Sequence, residues 1–148
     1  MVSPEMLRRF SCFSPVHEKS LEAVAMIARE ELVAAGRQLF SEGDPADTLS
    51  LIVDGEVEIR YLLGSGEPRV VDTLIAGDIL GWSALVEPHK MTGIATTRKP
   101  TRLIRIPARP LRELCECDPL LGYRLSTQVI RLLADRLEGT RARLATVE

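Results

Sequence analysis

Phe40-Ser41-Glu42-Gly43-Asp44-Pro45-Ala46-Asp47-Thr48-Leu49-Ser50-Leu51-Ile52-Val53-Asp54-Gly55-Glu56-Val57-Glu58-Ile59 reads as two strands and two tight turns. Gly43-Asp44-Pro45 and Asp54-Gly55 are turn sequences, in which glycine supplies positive φ and proline presets φ. Between them Leu49-Ser50-Leu51-Ile52-Val53 is a short, mostly apolar run with the character of a buried strand. After Asp54-Gly55 the pattern alternates, with Val57 and Ile59 on one face and Glu56, Glu58 and Arg60 on the other. An Asp-Gly pair between two such runs is the strongest short-range hairpin signal.

Outward from this hairpin, strand-like runs continue at Arg37–Phe40, Thr48–Val53, Glu56–Leu62, Arg69–Ile75, Met91–Thr97 and Thr101–Pro107. Turn sequences separate them at Gly64-Ser65-Gly66-Glu67-Pro68, Ala76-Gly77-Asp78 and Lys99-Pro100. Short strands at this spacing point to a sandwich or barrel. Gly81–Val86 interrupts the series as a half-helical apolar patch. The expected interior positions are Leu49, Leu51, Val53, Val57, Ile59, Leu74, Ile94, Leu103 and Ile106.

Helical texture flanks the strands. Residues 1–36 place Ser14 at an N-cap and Pro15 at the first helical position, with Leu21, Val24, Ala25, Ile27 and Ala28 on one apolar face. Met6, Phe10 and Phe13 precede it as an aromatic lid, and a short strand is expected near Glu31–Val33. His17 falls in the first helical turn and is expected to be exposed. After Pro107, Pro110–Cys117 forms one helix, and Asp118-Pro119 caps and opens a second. Its apolar residues, Leu121, Leu125, Val129, Leu132, Leu133, Leu137 and Leu144, form a stripe wider than one partner surface needs. Part can pack on the β-domain and part on a second copy. A homodimer interface at Leu125, Val129, Leu132, Leu133 and Leu137 is therefore expected. The organisation expected is one domain over 1–148: N-terminal helices in 1–36, a β-region in 37–107, and C-terminal helices in 108–148.

Composition excludes several classes. The chain has 148 residues, 45% apolar and 27% charged, an ordinary globular balance with room for a core. A net charge of −2 argues against a basic nucleic-acid surface spread over the whole chain. Apolar runs fall far short of the ~20 residues of a membrane span, and Met1–Phe10 lacks a signal-peptide core. A cytoplasmic protein is expected. Cys12, Cys115 and Cys117 are too few for a disulfide framework or a metal site, so free thiols are expected and no metal. The two histidines, His17 and His89, are far apart in sequence, and no catalytic constellation emerges, so an enzyme is not expected.

The run Glu42-Gly43-Asp44-Pro45-Ala46-Asp47, followed by Leu49-Ser50-Leu51-Ile52-Val53-Asp54-Gly55-Glu56-Val57-Glu58-Ile59, resembles the front half of a cyclic-nucleotide-binding domain. Gly43, Gly55, Gly77 and Gly81 fall where that family turns its strands, and the resemblance extends over nearly the whole chain. It implies a mainly β fold with flanking helices: an eight-stranded, jelly-roll-like β-roll with N-terminal helices and two C-terminal helices. It also implies a regulatory sensor role, with a nucleotide held in a cassette between two late strands. In the family that cassette reads Phe-Gly-Glu-Leu-Ala, a short helix, then Pro-Arg-Ala-Ala-Thr. Backbone N–H groups of the short helix and the Arg face the cyclic phosphate, and the Glu accepts from the ribose hydroxyl.

The matching stretch here is Leu80-Gly81-Trp82-Ser83-Ala84-Leu85-Val86-Glu87-Pro88-His89-Lys90-Met91-Thr92-Gly93-Ile94-Ala95-Thr96. Gly81 keeps the family glycine, Trp82 stands in place of the Glu, and Met91 stands in place of the Arg. Lys90 is one residue early and would substitute for the Arg only through a register shift or bulge. The degenerate cassette is therefore Gly81, Trp82, Ser83, Ala84, Leu85, Lys90, Met91 and Thr92, with Arg136 of the last helix near the pocket mouth.

No bound cofactor is expected beyond a cyclic nucleotide or another small anion, and cyclic AMP and cyclic GMP are expected to bind weakly or not at all. Haem-containing relatives use a histidine in this region, but His89 has no evident second axial ligand; iron–sulfur relatives use a cysteine cluster of which only Cys12 is present. Two other roles fit the same residues: a ligand-free dimerisation or docking scaffold, or the sensor half of a truncated transcription regulator. Family regulators carry a helix-turn-helix beyond the long helix; if these 148 residues are complete, direct DNA binding is not expected.

Overall fold

The computed structural model describes residues 1–62, 64 and 66–146, so Ser65 of the glycine-rich turn lies outside the described residues. Two short N-terminal helices, α1 (Pro4–Arg8) and α2 (Glu18–Ile27), precede eight strands. These are β1 (Arg29–Val33), β2 (Gln38–Phe40), β3 (Thr48–Asp54), β4 (Glu56–Leu62), β5 (Pro68–Ile75), β6 (Ile79–Leu80), β7 (Ile94–Thr97) and β8 (Thr101–Pro107). A four-residue 3₁₀ turn, Trp82–Leu85, sits between β6 and β7, and α3 (Ala108–Cys117) and α4 (Pro119–Ala145) follow β8. The strands form two four-stranded antiparallel sheets, ordered β1-β8-β3-β6 and β2-β7-β4-β5. This is the eight-stranded roll that the sequence implied.

The first sheet is covered on both faces. Leu49 and Leu51 of β3, with Ile104 and Ile106 of β8, pack under the helices in one core that also takes in Phe10, Phe13, Leu21, Leu111, Leu121 and Leu125. Ile52 of β3 and Leu103 of β8 instead face the roll interior, beside Val57, Ile59, Leu74 and Ala95. A strand buried on both faces needs no polar alternation, which is why 49–53 is nearly continuous apolar sequence. Val53 and Ile94 are only half-buried. The lid also forms: Phe10 and Phe13 are buried, with Met6 packed against them.

Several boundaries differ from the sequence reading. Ser14-Pro15 does not open α2; the helix starts at Glu18, and exposed His17 is its N-cap, its Nδ1 accepting from the Lys19 N–H at 3.3 Å. The Ser-Pro cap that forms is earlier, Ser3-Pro4 of α1. β7 starts at Ile94 rather than Met91, and β6 lies in a stretch without a strand-length pattern. The expected cap of α4 forms, with the Asp118 carboxylate accepting from the Leu121 N–H and from the Ser20 hydroxyl of α2. Cys12 is buried and its thiol is pushed up to about 12 by desolvation, which makes it inert. Cys115 is half-buried and Cys117 exposed; all three thiols are free.

Gly55 turns the β3–β4 hairpin at φ 116°, and a Cβ there would lie 2.6 Å from the Thr101 Cα. Gly55→Ala combines left-handed strain with a clash against backbone, so it should lower stability by about 2–4 kcal/mol in urea unfolding. A loss below about 0.5 kcal/mol would contradict this packing. The Ser20 hydroxyl first, and the Leu121 N–H second, hold the Asp118 carboxyl below its ordinary value. A lowered folded-state pKa means that its contribution is complete above the unfolded value, about 4, and is lost as pH falls through the folded value. Asp118→Asn should therefore cost stability at pH 7, and the gap to the unsubstituted chain should close toward pH 3. Unfolding midpoints that stay equally far apart at both pH values would rule this out.

Candidate functional site

The roll interior narrows to a small lobe where β6, the 3₁₀ turn, β4 and the segment before β7 converge on α4. Gly81 caps the 3₁₀ turn at φ 84°, and a Cβ there would lie 2.9 Å from the Thr48 carbonyl of β3. Only glycine lets the turn approach that strand so closely. Of the nine cassette residues expected from sequence, Gly81, Trp82, Ser83, Met91, Thr92 and Arg136 line this lobe together. Ala84 and Leu85 do not; they face the helical core, where the Ala84 carbonyl accepts from Arg112 at 2.7 Å.

The position of Met91 is fixed by the quoted turn. The Gly43 N–H donates to the Met91 carbonyl and the Met91 N–H to the Asp44 carbonyl, both at 2.8 Å. The Ala46 N–H donates to the His89 carbonyl at 2.8 Å, and Asp44 holds its own turn by accepting from the Ser41 N–H at 2.8 Å. This clamp sets the register: Met91 is buried, while neighbouring Lys90 is exposed and does not line the lobe. His89 lies elsewhere, in a cleft with Arg112 and Cys115.

Arg136 is the cation nearest the lobe. Its Nε lies 3.6 Å from an Asp72 oxygen and its Nη2 3.5 Å from the Ile79 carbonyl, so it bridges α4 to β5 and β6. Of the remaining walls, Leu80 and Gly93 lie in the matching stretch without having been singled out, and Phe40, Ile59, Tyr61, Leu74 and Ile79 lie outside it. Ile59 and Tyr61 share one strand face, so the alternation along β4 was a usable signal. Phe40 could not be assigned because β2 shifts register at that point.

Packing leaves only about 20 Å³ free inside the lobe, room for about one water molecule. Met91 and Trp82 contribute apolar bulk to its walls.

A family profile described as the cyclic nucleotide-binding domain matches residues 30–118. The chain belongs to the cyclic nucleotide-binding domain family. It is 28% identical over 141 residues to a CRP-like cAMP-activated global transcriptional regulator of Mycobacterium tuberculosis. That match takes in 95% of this chain and 61% of the regulator, so the chain spans under two thirds of that relative's length. The crystal structure of a Geobacter metallireducens protein named for cyclic nucleotide binding superposes with a TM-score of 0.84 at 33% identity, over 93% of this chain and 99% of that one. The regulatory subunit of a cAMP-independent protein kinase A from Trypanosoma brucei shares the fold, with a TM-score of 0.79 at 13% identity, over 95% of this chain and 49% of that one.

The dimer residues expected from sequence divide between two faces of α4. Leu125 and Val129 are buried within the chain, and Leu132 is half-buried against the helical core. The first two are thus not free for a second copy, because the helical layer of this domain already covers them. Leu133 is half-buried and Leu137 exposed. The outward apolar seam of α4 is Tyr123, Ile130, Leu137 and Leu144, exposed by 70%, 65%, 52% and 67%. Among the described residues no helix is long and apolar enough to cross a membrane.

Proposed function

We propose that this domain is a regulatory module of the cyclic-nucleotide-binding fold whose cassette is closed to cyclic AMP and cyclic GMP, and that it acts as a homodimer through α4. The observation that carries the first half is the filled lobe. Met91, clamped inward by the Gly43–Asp44 turn, takes the place where the family cassette holds an Arg, and about 20 Å³ remains. A charged hydrogen-bond partner contributes on the order of 2–3 kcal/mol, so its loss alone weakens binding roughly a hundredfold. Trp82 removes the ribose acceptor and adds bulk.

The homodimer rests on spacing. Tyr123, Ile130, Leu137 and Leu144 recur every seven residues on one exposed face, which is coiled-coil periodicity. Ser126, Thr127, Ala134 and Thr140 flank them and are small enough for close helix approach. Self-pairing removes this row of exposed apolar side chains from water, and two-fold pairing is the commonest closed symmetry.

Calorimetric titration should show no saturable binding of cyclic AMP or cyclic GMP up to about 1 mM. The pair Trp82→Glu with Met91→Arg should raise affinity about a hundredfold over the unsubstituted chain. Submicromolar binding by the unsubstituted chain would overturn the closed-cassette reading. Independently, the chain should sediment as a dimer at tens of micromolar. Ile130→Glu with Leu137→Glu should give folded monomers, whereas Val129→Glu should unfold the domain. A monomeric unsubstituted chain would end the dimer proposal.

A further inference from the structure

Beyond Met91 the roll interior opens into a second lobe of about 270 Å³, bounded by Phe40, Leu80 and Met91 and quite different in chemistry. Arg105 of β8 reaches into it directly opposite Ser50 of β3, with which it is paired across the sheet. Its nearest carboxylate is Glu31, at 3.7 Å, too far for a hydrogen bond. Its Nε is buried and has no hydrogen-bond partner among the described residues. Ser50 is buried beside it, and Thr48 lies two residues away on the same strand face. Asp44 and Asp47 stand across the lobe. One Asp44 oxygen is engaged by the Ser41 N–H, and both aspartates are exposed at the mouth of the lobe.

Arg105 is half-buried, but a buried Nε donor without a partner is costly, and native structures usually complete it. Water can do so, but the cleft holds far more than one water and has an apolar floor. The charges around it limit the ligand. Glu31, Asp44 and Asp47 together outweigh Arg105, so a phosphate dianion is repelled. A carboxylate fits the guanidinium fork and the Ser50 and Thr48 hydroxyls, and an ammonium fits the aspartates. A compact apolar side chain fits against Phe40, Leu80 and Met91. The volume falls at the small end of ligand pockets.

The geometry points to a binding site for a small apolar α-amino acid in this second lobe, its carboxylate on Arg105 and its ammonium toward Asp44 and Asp47. Arg105 is the specificity-determining residue. The site is separate from the nucleotide cassette and does not depend on the closed-cassette reading, although both lobes share the Met91 wall.

Titration of the full chain with L-leucine, leucinamide and 4-methylpentanoate tests this. Leucine should bind saturably and raise the thermal midpoint. Leucinamide, which lacks the carboxylate, and 4-methylpentanoate, which lacks the ammonium, should each bind about tenfold more weakly or worse. Arg105→Gln should weaken leucine binding about tenfold or more, with Arg105→Lys intermediate because the charge remains but the fork is lost. The comparison of the three ligands on the unsubstituted chain stands even if the Arg105 variants fold poorly. Absence of leucine binding at 10 mM, equal binding of leucine and leucinamide, or unchanged affinity in folded Arg105→Gln would each overturn the proposal.

Discussion

Burial of β3 on both faces is the constraint on which the rest of the structure depends. Leu49 and Leu51 belong to the helical core, and Ile52 to the core inside the roll. A slip of one residue would exchange these sets and push Ser50 under the helices, so register is fixed from both sides at once. Full burial of a leucine or isoleucine contributes roughly 1.5–3 kcal/mol, and these three β3 residues alone make a slipped register untenable. The same register turns Thr48 and Ser50 inward, toward Arg105. This polar end of the interior is thus a by-product of the arrangement that secures its apolar core.

Substitution of both family charges by apolar bulk is coherent as physics. A buried Arg or Glu waiting for a ligand must be hydrated or left unpaired, and either state lowers the stability of the empty domain. Met91 and Trp82 remove that cost and fill the space. Because Gly43 and Asp44 clamp the Met91 backbone, the exchange changes the interior without disturbing strand order. Under the proposed closed-cassette reading, such packing suits a regulator that does not wait for a nucleotide.

How much was legible from sequence follows from where the determining contacts lie. The β3–β4 hairpin, the β8 boundaries and the Asp118 cap are local, carried by Asp54-Gly55, the apolar runs and Asp118-Pro119. β6 was not legible because two residues carry no period, and its pairing to Ser50 and Leu51 is long-range. Glu58 fell on the polar face as the alternation required, yet it is buried: Arg60 at 2.5 Å and Arg98 at 2.6 Å cover it, and Arg98 arrives from forty residues further on. The cassette was recognisable residue by residue at Gly81, Trp82, Ser83, Met91 and Thr92, but its degree of closure depended on Phe40, Tyr61 and Leu74 from other strands. The wide stripe on α4 was correctly too wide. Only the position of the roll divides the helix into an inward face at Leu121, Leu125 and Val129 and an outward seam, on which Leu137 and Leu144 belonged to the stripe whereas Tyr123 and Ile130 did not.

That division gives α4 its functional weight. A helix of 27 residues moves as one body, and here one body carries three attachments. Its N-terminal half packs in the helical core through Leu121 and Leu125. Further along, Arg136 reaches Asp72 of β5 and the Ile79 carbonyl of β6, and Arg143 donates to the Val71 carbonyl of β5 at 2.7 Å. These tethers are one partly exposed ion pair and two hydrogen bonds to carbonyls, weak beside the apolar anchor at the other end. A change in the roll interior would be felt first where attachment is weakest, as a tilt of the C-terminal half about its anchored start. In the proposed dimer the outward seam runs the length of α4 from Tyr123 to Leu144, so two such helices would read a tilt of either roll through the C-terminal part of one interface. Met91 borders both lobes, its backbone clamped and its unbranched side chain buried between them, so a change in either lobe would press on that side chain directly.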